Sequence, residues 1–146
     1  MIDPREKIRK VKLSPPDPTW PHRFNETKSE IKGILQDNCL KVHHIGSTAI
    51  PGIYAKPIID VLVVVENIAI LDSLNSAFEA QGYICMGEYG IAGRRFYWKS
   101  ETSRTHNIHV FEKGSSEIKR HVAFRDFMRK HESHAKAYST IKRCLA

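Results

Sequence analysis

The segment HHIGSTAIPGIYAKPIIDVLVVV, His43 to Val65, holds the residue types best suited to chemistry. Asp60 is the only charged residue in PIIDVLVVV, where every neighbour favours burial. A buried carboxylate is costly unless a cation, an arginine or several N–H donors meet it. A structural ion pair would satisfy it, and so would a bound metal. Gly46 and Ser47 stand in a turn upstream, with an interval of twelve residues before Asp60. Such a turn can direct backbone N–H groups at a phosphate, with the serine hydroxyl as a further donor. The plainer alternative is a positive φ at Gly46 and a short helix capped by Ser47 with Thr48. Lys56 precedes Pro57, which holds it extended and facing whatever the turn binds. Together these residues suggest an aspartate-bound divalent cation bridging phosphate oxygens.

Further candidates lie in THNIHVFE. On a strand Asn107 and His109 share one face and His106 takes the other. Asp60 and His109, with Asn107 or His44, could then hold one cation; mixed oxygen and nitrogen ligation suits Mn²⁺ or Zn²⁺ better than Mg²⁺. His109 adjoins Val110 and Phe111, so a hydrogen-bonded core histidine is an equally open reading. Arg94 and Arg95 follow a glycine-rich stretch that could fold over a ligand, and Arg104 precedes the histidines. In FRDFMR, the spacing of Phe124, Phe127 and Met128 predicts a core stripe, flanked by Arg125. Trp20, Trp98 and Tyr138 read as core or rim aromatics. His22, His121, His131 and His134 show no joint metal spacing.

These residues need a scaffold, and the composition provides for one. The chain has 146 residues with 41% hydrophobic and 27% charged side chains, as expected of one globular domain. Its longest apolar run is too short to cross a bilayer. The segment MIDPREKIRK lacks the apolar core of a signal peptide, so a cytoplasmic location is expected. Cys39, Cys85 and Cys144 are widely spaced and suggest reduced thiols, with neither a disulfide framework nor a metal knuckle. The formal charge is +7, and Arg104 to Ala146 carries ten Lys/Arg against four Asp/Glu. That bias favours anionic partners such as phosphates, nucleotides or nucleic acid, although solubility explains many basic surfaces.

Residues 1–16 read as a flexible basic leader ending in prolines, and 17–146 as the folded domain. Trp20, Phe24, Ile31 and Leu35 predict a helix over about 19–37. CLKVHHI and PIIDVLVVV read as strands, the second buried on both faces. NIAILDSLNSAFEAQG reads as one helix stopped by Gly82. YICMGE, RRFYWKS and TSRTHNIHVFE read as three more strands. SSEIKRHVAFRDFMRKH and ESHAKAYSTIKRCLA read as two helices, the first capped by Ser115 or Ser116. This order predicts an α+β fold with a mixed sheet flanked by helices.

Gly-Ser, a dozen residues, then aspartate on an apolar strand resembles the signature of the nucleotidyltransferase superfamily. More specifically, DPTWPHRF, HIGSTAIPGIYAKPIIDVLVVV, THNIHVFEKGS and FRDFMRKHESHAKAYSTIKRCLA resemble the GrpB family, from about Val11 to Ala146. The resemblance implies a nucleotidyltransferase-like mixed sheet flanked by helices; similar domains also occur fused behind dephospho-coenzyme A kinase. It implies catalytic roles for Asp60 and Lys56 and phosphate contacts from Gly46, Ser47, Thr48, Lys56 and Arg125. It further implies a divalent cation, Mg²⁺ or Mn²⁺ with Zn²⁺ as an alternative, on Asp60, His109 and Asn107. Departures matter: the usual second carboxylate position is Leu62, no third carboxylate is evident, and Asn107 stands where the pattern has histidine. The expected function is therefore binding of a nucleotide or phosphate ester, extending to metal-dependent nucleotidyl transfer. The alternative is a non-catalytic module that binds RNA or a protein through the basic C-terminal helices.

Overall fold

The computed structural model describes residues 13–145. Helix α1 spans Trp20–Leu35, strand β1 Cys39–Ile45 and strand β2 Ile59–Val65. Then come helix α2 (Asn75–Ala80), strands β3 (Ile84–Cys85), β4 (Arg95–Ser100) and β5 (Arg104–Glu112), and helices α3 (Ser116–Lys130) and α4 (Glu132–Leu145). One mixed sheet has the order β1-β2-β5-β4-β3. Only β2 and β5 run parallel. The expected α+β architecture, a single mixed sheet flanked by helices, is what the chain adopts.

The two faces of β2 divide the molecule. Ile59, Val61, Val63 and Val65 point into the main core with Trp20, Ile31 and Leu35 of α1 and with Phe78 and Tyr97. On the other face Leu62 and Val64 join Ile45 and Phe111, with Ile118 of α3 packed against them. Asp60 shares this second face by strand alternation. Leu62, fully buried, is thus a packing residue beneath α3.

Several expectations are refined. The helix expected over Asn67 to Gly82 is a 3-10 helix at Ile68–Leu74 followed by the short α2. Ile68, Leu71 and Leu74 recur every third residue, which aligns them on one face of a three-residue turn and packs all three against the main core. YICMGE contributes only Ile84–Cys85 as strand, although Met86 N–H still donates to Phe96 and Phe96 N–H to Gly87. Ser115, not Ser116, caps α3, its hydroxyl accepting from Glu117 N–H. The stripe of Phe124, Phe127 and Met128 is corrected: Phe124 and Phe127 are both 45% exposed. Met128 alone packs inward, against Ile50, Ile53 and Ala135. Of the leader expected over 1–16, residues 1–12 lie outside the described residues. Ser14 forms a backbone bridge with Ala55.

Phe78 is fully buried and stacks on Tyr97 with ring centroids 4.0 Å apart. Phe78→Ala is expected to cost about 3–5 kcal/mol in urea unfolding. Phe124→Ala, on the outer side of α3, is expected to cost well under half of that.

Candidate functional site

Asp60 stands on β2 opposite Ile45 on one side and Asn107 on the other. The turn after β1 runs over its carboxylate. Gly46 has φ 73 and ψ -173, a conformation essentially reserved for glycine. A Cβ there would lie 2.7 Å from Asp60 Oδ2, so glycine is needed for conformation and for space. Ser47–Ala49 then make a single 3-10 turn. One turn is too short for an appreciable macrodipole, so any attraction for anions must come from side chains.

Those side chains converge from far apart in the chain. Ser47, Lys56, Asp60, Asn107 and Lys142 line a cavity of about 400 Å³, rimmed by Leu13, Ile58 and Leu145. Lys142, from the last turn of α4, donates to Ser47 Oγ at 2.5 Å. Burial, then the nearby Lys56 ammonium, press the Lys142 pKa downward, while Asp60 opposes them. Helix α4 also fixes the loop that carries Lys56: Ser139 Oγ accepts from Tyr54 N–H at 2.9 Å, and Ala135 packs on Ile50 and Ile53. Two ammonium groups therefore face one carboxylate across a small cavity.

Asp60 is neutralised by no arginine among the described residues. Its Oδ1 accepts from Asn107 Nδ2 at 3.2 Å, and His109 Nε2 lies 3.8 Å away. Arg94 Nη1 stands 3.3 Å from His109 Nδ1. A guanidinium only donates, so Nδ1 must accept and the ring proton sits on Nε2, facing Asp60. As arranged, His109 offers Asp60 an N–H and has no lone pair free for a metal. Arg94 itself is buried, donating to the Glu88 and Tyr89 carbonyls and covering the Phe96 ring. Asn107 Oδ1 is buried and has no donor among the described residues. His106 points to the opposite face, as strand alternation requires, near Lys99 and Glu30.

Thr48 and Arg125 are placed differently from the other expected phosphate contacts. Thr48 lines the cavity but its hydroxyl is committed: it donates to the Ile58 carbonyl at 3.1 Å and so must accept from His44 Nε2 at 2.9 Å. His44 is buried, stacks on Phe24 and is held neutral, its pKa pushed down to about 4, chiefly by burial. It faces away from Asp60 and serves to anchor the turn. Arg125 does not reach the Asp60 cavity. Its guanidinium donates to Asp126 and to the His44 carbonyl, and it lines a separate cavity. Lys142 is the contact that reading the chain alone missed, since ninety-five positions separate it from Ser47.

No three His, Cys, Asp or Glu side chains among the described residues are grouped so as to hold a metal ion. No helix among them is long and apolar enough to cross a membrane. The three cysteines are free.

A family model described as GrpB protein matches residues 10–146. The UPF0157 protein YqkA of Bacillus subtilis is 41% identical over 94% of this chain, which spans 40% of that protein. Half of the chain also matches a dephospho-CoA kinase of Mycolicibacterium paratuberculosis at 40% identity, covering 19% of that protein. Among solved structures, the conserved protein GrpB from Enterococcus faecalis is 45% identical, with a TM-score of 0.90 over 92% of this chain and 82% of that one. The chain thus spans less than two thirds of the first of these curated relatives.

Two outcomes follow. Gly46→Ala is expected to cost about 1–3 kcal/mol in conformational strain and to displace Asp60 as well. Gly90→Ala, also at positive φ but with open space around it, bears only the strain; urea unfolding and the Asp60 side-chain NMR resonances separate the two. His44, neutral when folded, is protonated in the unfolded chain below about pH 6.5. Its stabilisation is therefore complete above that pH and lost as the pH falls toward 4, on the order of 2–3 kcal/mol. Urea midpoints across that window, shallower in slope for His44→Gln, check it.

Proposed function

Because the chain belongs to the GrpB family, and because its turn and strand frame a basic cavity around one carboxylate, we propose that this cavity binds a nucleotide or another phosphate ester. The observation that carries the reading is the Lys142–Ser47 hydrogen bond in a cavity that Lys56 and Asp60 also line. Two ammonium groups and a hydroxyl donor match the oxygens of a phosphate chain. The Lys142–Ser47 hydrogen bond occupies the place an entering phosphate oxygen would take.

The finer reading is metal-assisted nucleotidyl transfer. A divalent cation would be held by Asp60, joined by the Asn107 oxygen once that amide turns over from its hydrogen bond to Asp60. When bound it would supply Lewis-acid stabilisation of charge on phosphate oxygens. Two oxygen donors fit Mg²⁺ or Mn²⁺ better than Zn²⁺, because His109 presents an N–H. With Leu62 buried where a second carboxylate would stand, the protein alone offers too few ligands. Phosphate oxygens and water must complete the shell. Lys56 and Lys142 then orient the phosphates and offset negative charge as it develops. His109 holds the Asp60 carboxylate in place, and Asn107 does so when no cation is bound.

A second reading has its own observation. Phe124, Phe127, Ile141 and Leu145 are exposed on the basic helices α3 and α4. Aromatic and apolar groups among lysines and arginines suit RNA or a protein partner.

Calorimetric titration with ATP, with and without Mn²⁺, tests the choice. The cavity reading expects ATP binding that Mn²⁺ strengthens and weak Mn²⁺ binding without ATP. Lys142→Gln should weaken ATP by about tenfold, as expected for loss of one charge-assisted contact. Asp60→Ala should remove the Mn²⁺ effect, and Lys136→Ala, in an exposed pair with Glu132, should change nothing. Salt-sensitive RNA binding indifferent to Asp60 would instead favour the module.

A further inference from the structure

A second cavity is larger than the one beside Asp60. About 720 Å³ opens between the start of α1, β1 and the loop after Thr48. That size falls within the range of about 300–1,000 Å³ typical of small-molecule sites. Its walls are mostly apolar, with Pro18, Trp20, Pro21, Phe24, Val42 and Ile50 among them. Arg125 and Arg129 also line it. They sit one turn apart on α3 and so share a helix face.

The charges here are unevenly balanced. Arg125 has Asp126 as partner, at 2.9 Å. Arg129 donates its Nε–H to the Ala49 carbonyl at 2.8 Å and has no carboxylate within 4.0 Å among the described residues. Burial, then the neighbouring Arg125, press its pKa downward, against a weaker pull from Asp126. The other carboxylate at the cavity, Asp17, is occupied by the Thr19 N–H and hydroxyl at 2.8 and 2.7 Å. His44, also on the wall, is neutral and its Nε2 is committed to Thr48. A second polar group is left without a partner: Trp20 is 3% exposed, and its indole N–H has no acceptor among the described residues. Trp20, with its unmet indole N–H, and Arg129, without a carboxylate partner, thus both line one largely apolar cavity. Both are donors: the indole N–H meets no acceptor, and the guanidinium meets a carbonyl but no carboxylate.

We propose that this cavity is a second binding site, taking a small organic acid with an apolar body and a carboxylate headgroup. The headgroup meets Arg129, and the body lies against Trp20, Phe24 and the prolines. Neutral analogues leave the guanidinium unmatched and bind more weakly; inorganic phosphate lacks the apolar body. The site does not depend on the phosphate reading of the Asp60 cavity, from which the Thr48 turn separates it.

The chain has two tryptophans, so Trp98→Phe leaves Trp20 as the sole indole reporter. Its emission is followed at fixed ionic strength during titration with 4-phenylbutyrate, neutral 4-phenylbutan-1-ol and inorganic phosphate. The expected result is a saturable change with 4-phenylbutyrate, about tenfold tighter than the alcohol, and none with phosphate. Arg129→Gln in the same background should abolish the preference for the acid, and Asp60→Ala should leave it intact. Asn25→Phe, an exposed residue at the cavity mouth, should weaken acid and alcohol alike and serves if Arg129→Gln fails to fold. Equal affinity for acid and alcohol, or no saturable change in the intact chain, would overturn the proposal. So would undiminished acid preference in a folded Arg129→Gln protein.

Discussion

The approach of the chain at Gly46 to the Asp60 carboxylate sets the geometry of everything around it. A side chain at position 46 would begin within 2.7 Å of a carboxylate oxygen, and the φ of 73 admits little but glycine. The turn can therefore lie directly over the head of β2. That places Ser47 at the cavity and turns Thr48 inward, where its hydroxyl joins His44 to the Ile58 carbonyl. The carboxylate gains close cover without gaining a countercharge from it. Its compensation comes from donors on β5, an amide and an imidazole, which orient it without matching its full charge.

That arrangement explains why the ends of the chain's central motif need α4. Lys56 sits on a loop tied to Ser14 only by a single bridge at Ala55, and Lys142 is on a helix that packs across that loop. Burying an ammonium beside another is unfavourable, and the depressed pKa of Lys142 is the trace of that cost. An anion between the two lysines would relieve the repulsion; a cation on Asp60 alone would not. On charge alone such a cavity favours an anion before a cation, the reverse of one lined by several carboxylates.

Much of this was legible in the chain because the signals were local. Strand alternation placed Asn107 and His109 on one shared face, which the β2–β5 register turns out to share with Asp60, and β-branched residues marked β2. Gly46 was recognisable as a turn glycine, but its second role, clearing space for Asp60, depends on two strands coming together. The 3-10 helix was missed because Ile68, Leu71 and Leu74 are compatible with an α-helix until the core they contact is known. Phe124 and Phe127 had helical spacing for a core stripe, yet α3 covers the sheet with Ile118 and leaves both phenylalanines half outside. Arg125 and Lys142 are long side chains on late helices, and only tertiary packing decides which cavity each one enters. The result exchanged them: Arg125 lines another cavity, and Lys142 stands beside Asp60 instead.

The central claim is that Asp60 and the two lysines form one site for a phosphate-bearing ligand. A crystal soaked with ATP and Mn²⁺, with anomalous data collected at the manganese edge, tests it most directly. The account predicts phosphate density between Ser47, Lys56 and Lys142, with the Lys142–Ser47 hydrogen bond broken, and a manganese peak bridging that density to Asp60. Phosphate and metal bound elsewhere, with Lys142 still on Ser47 in a fully occupied crystal, would contradict it.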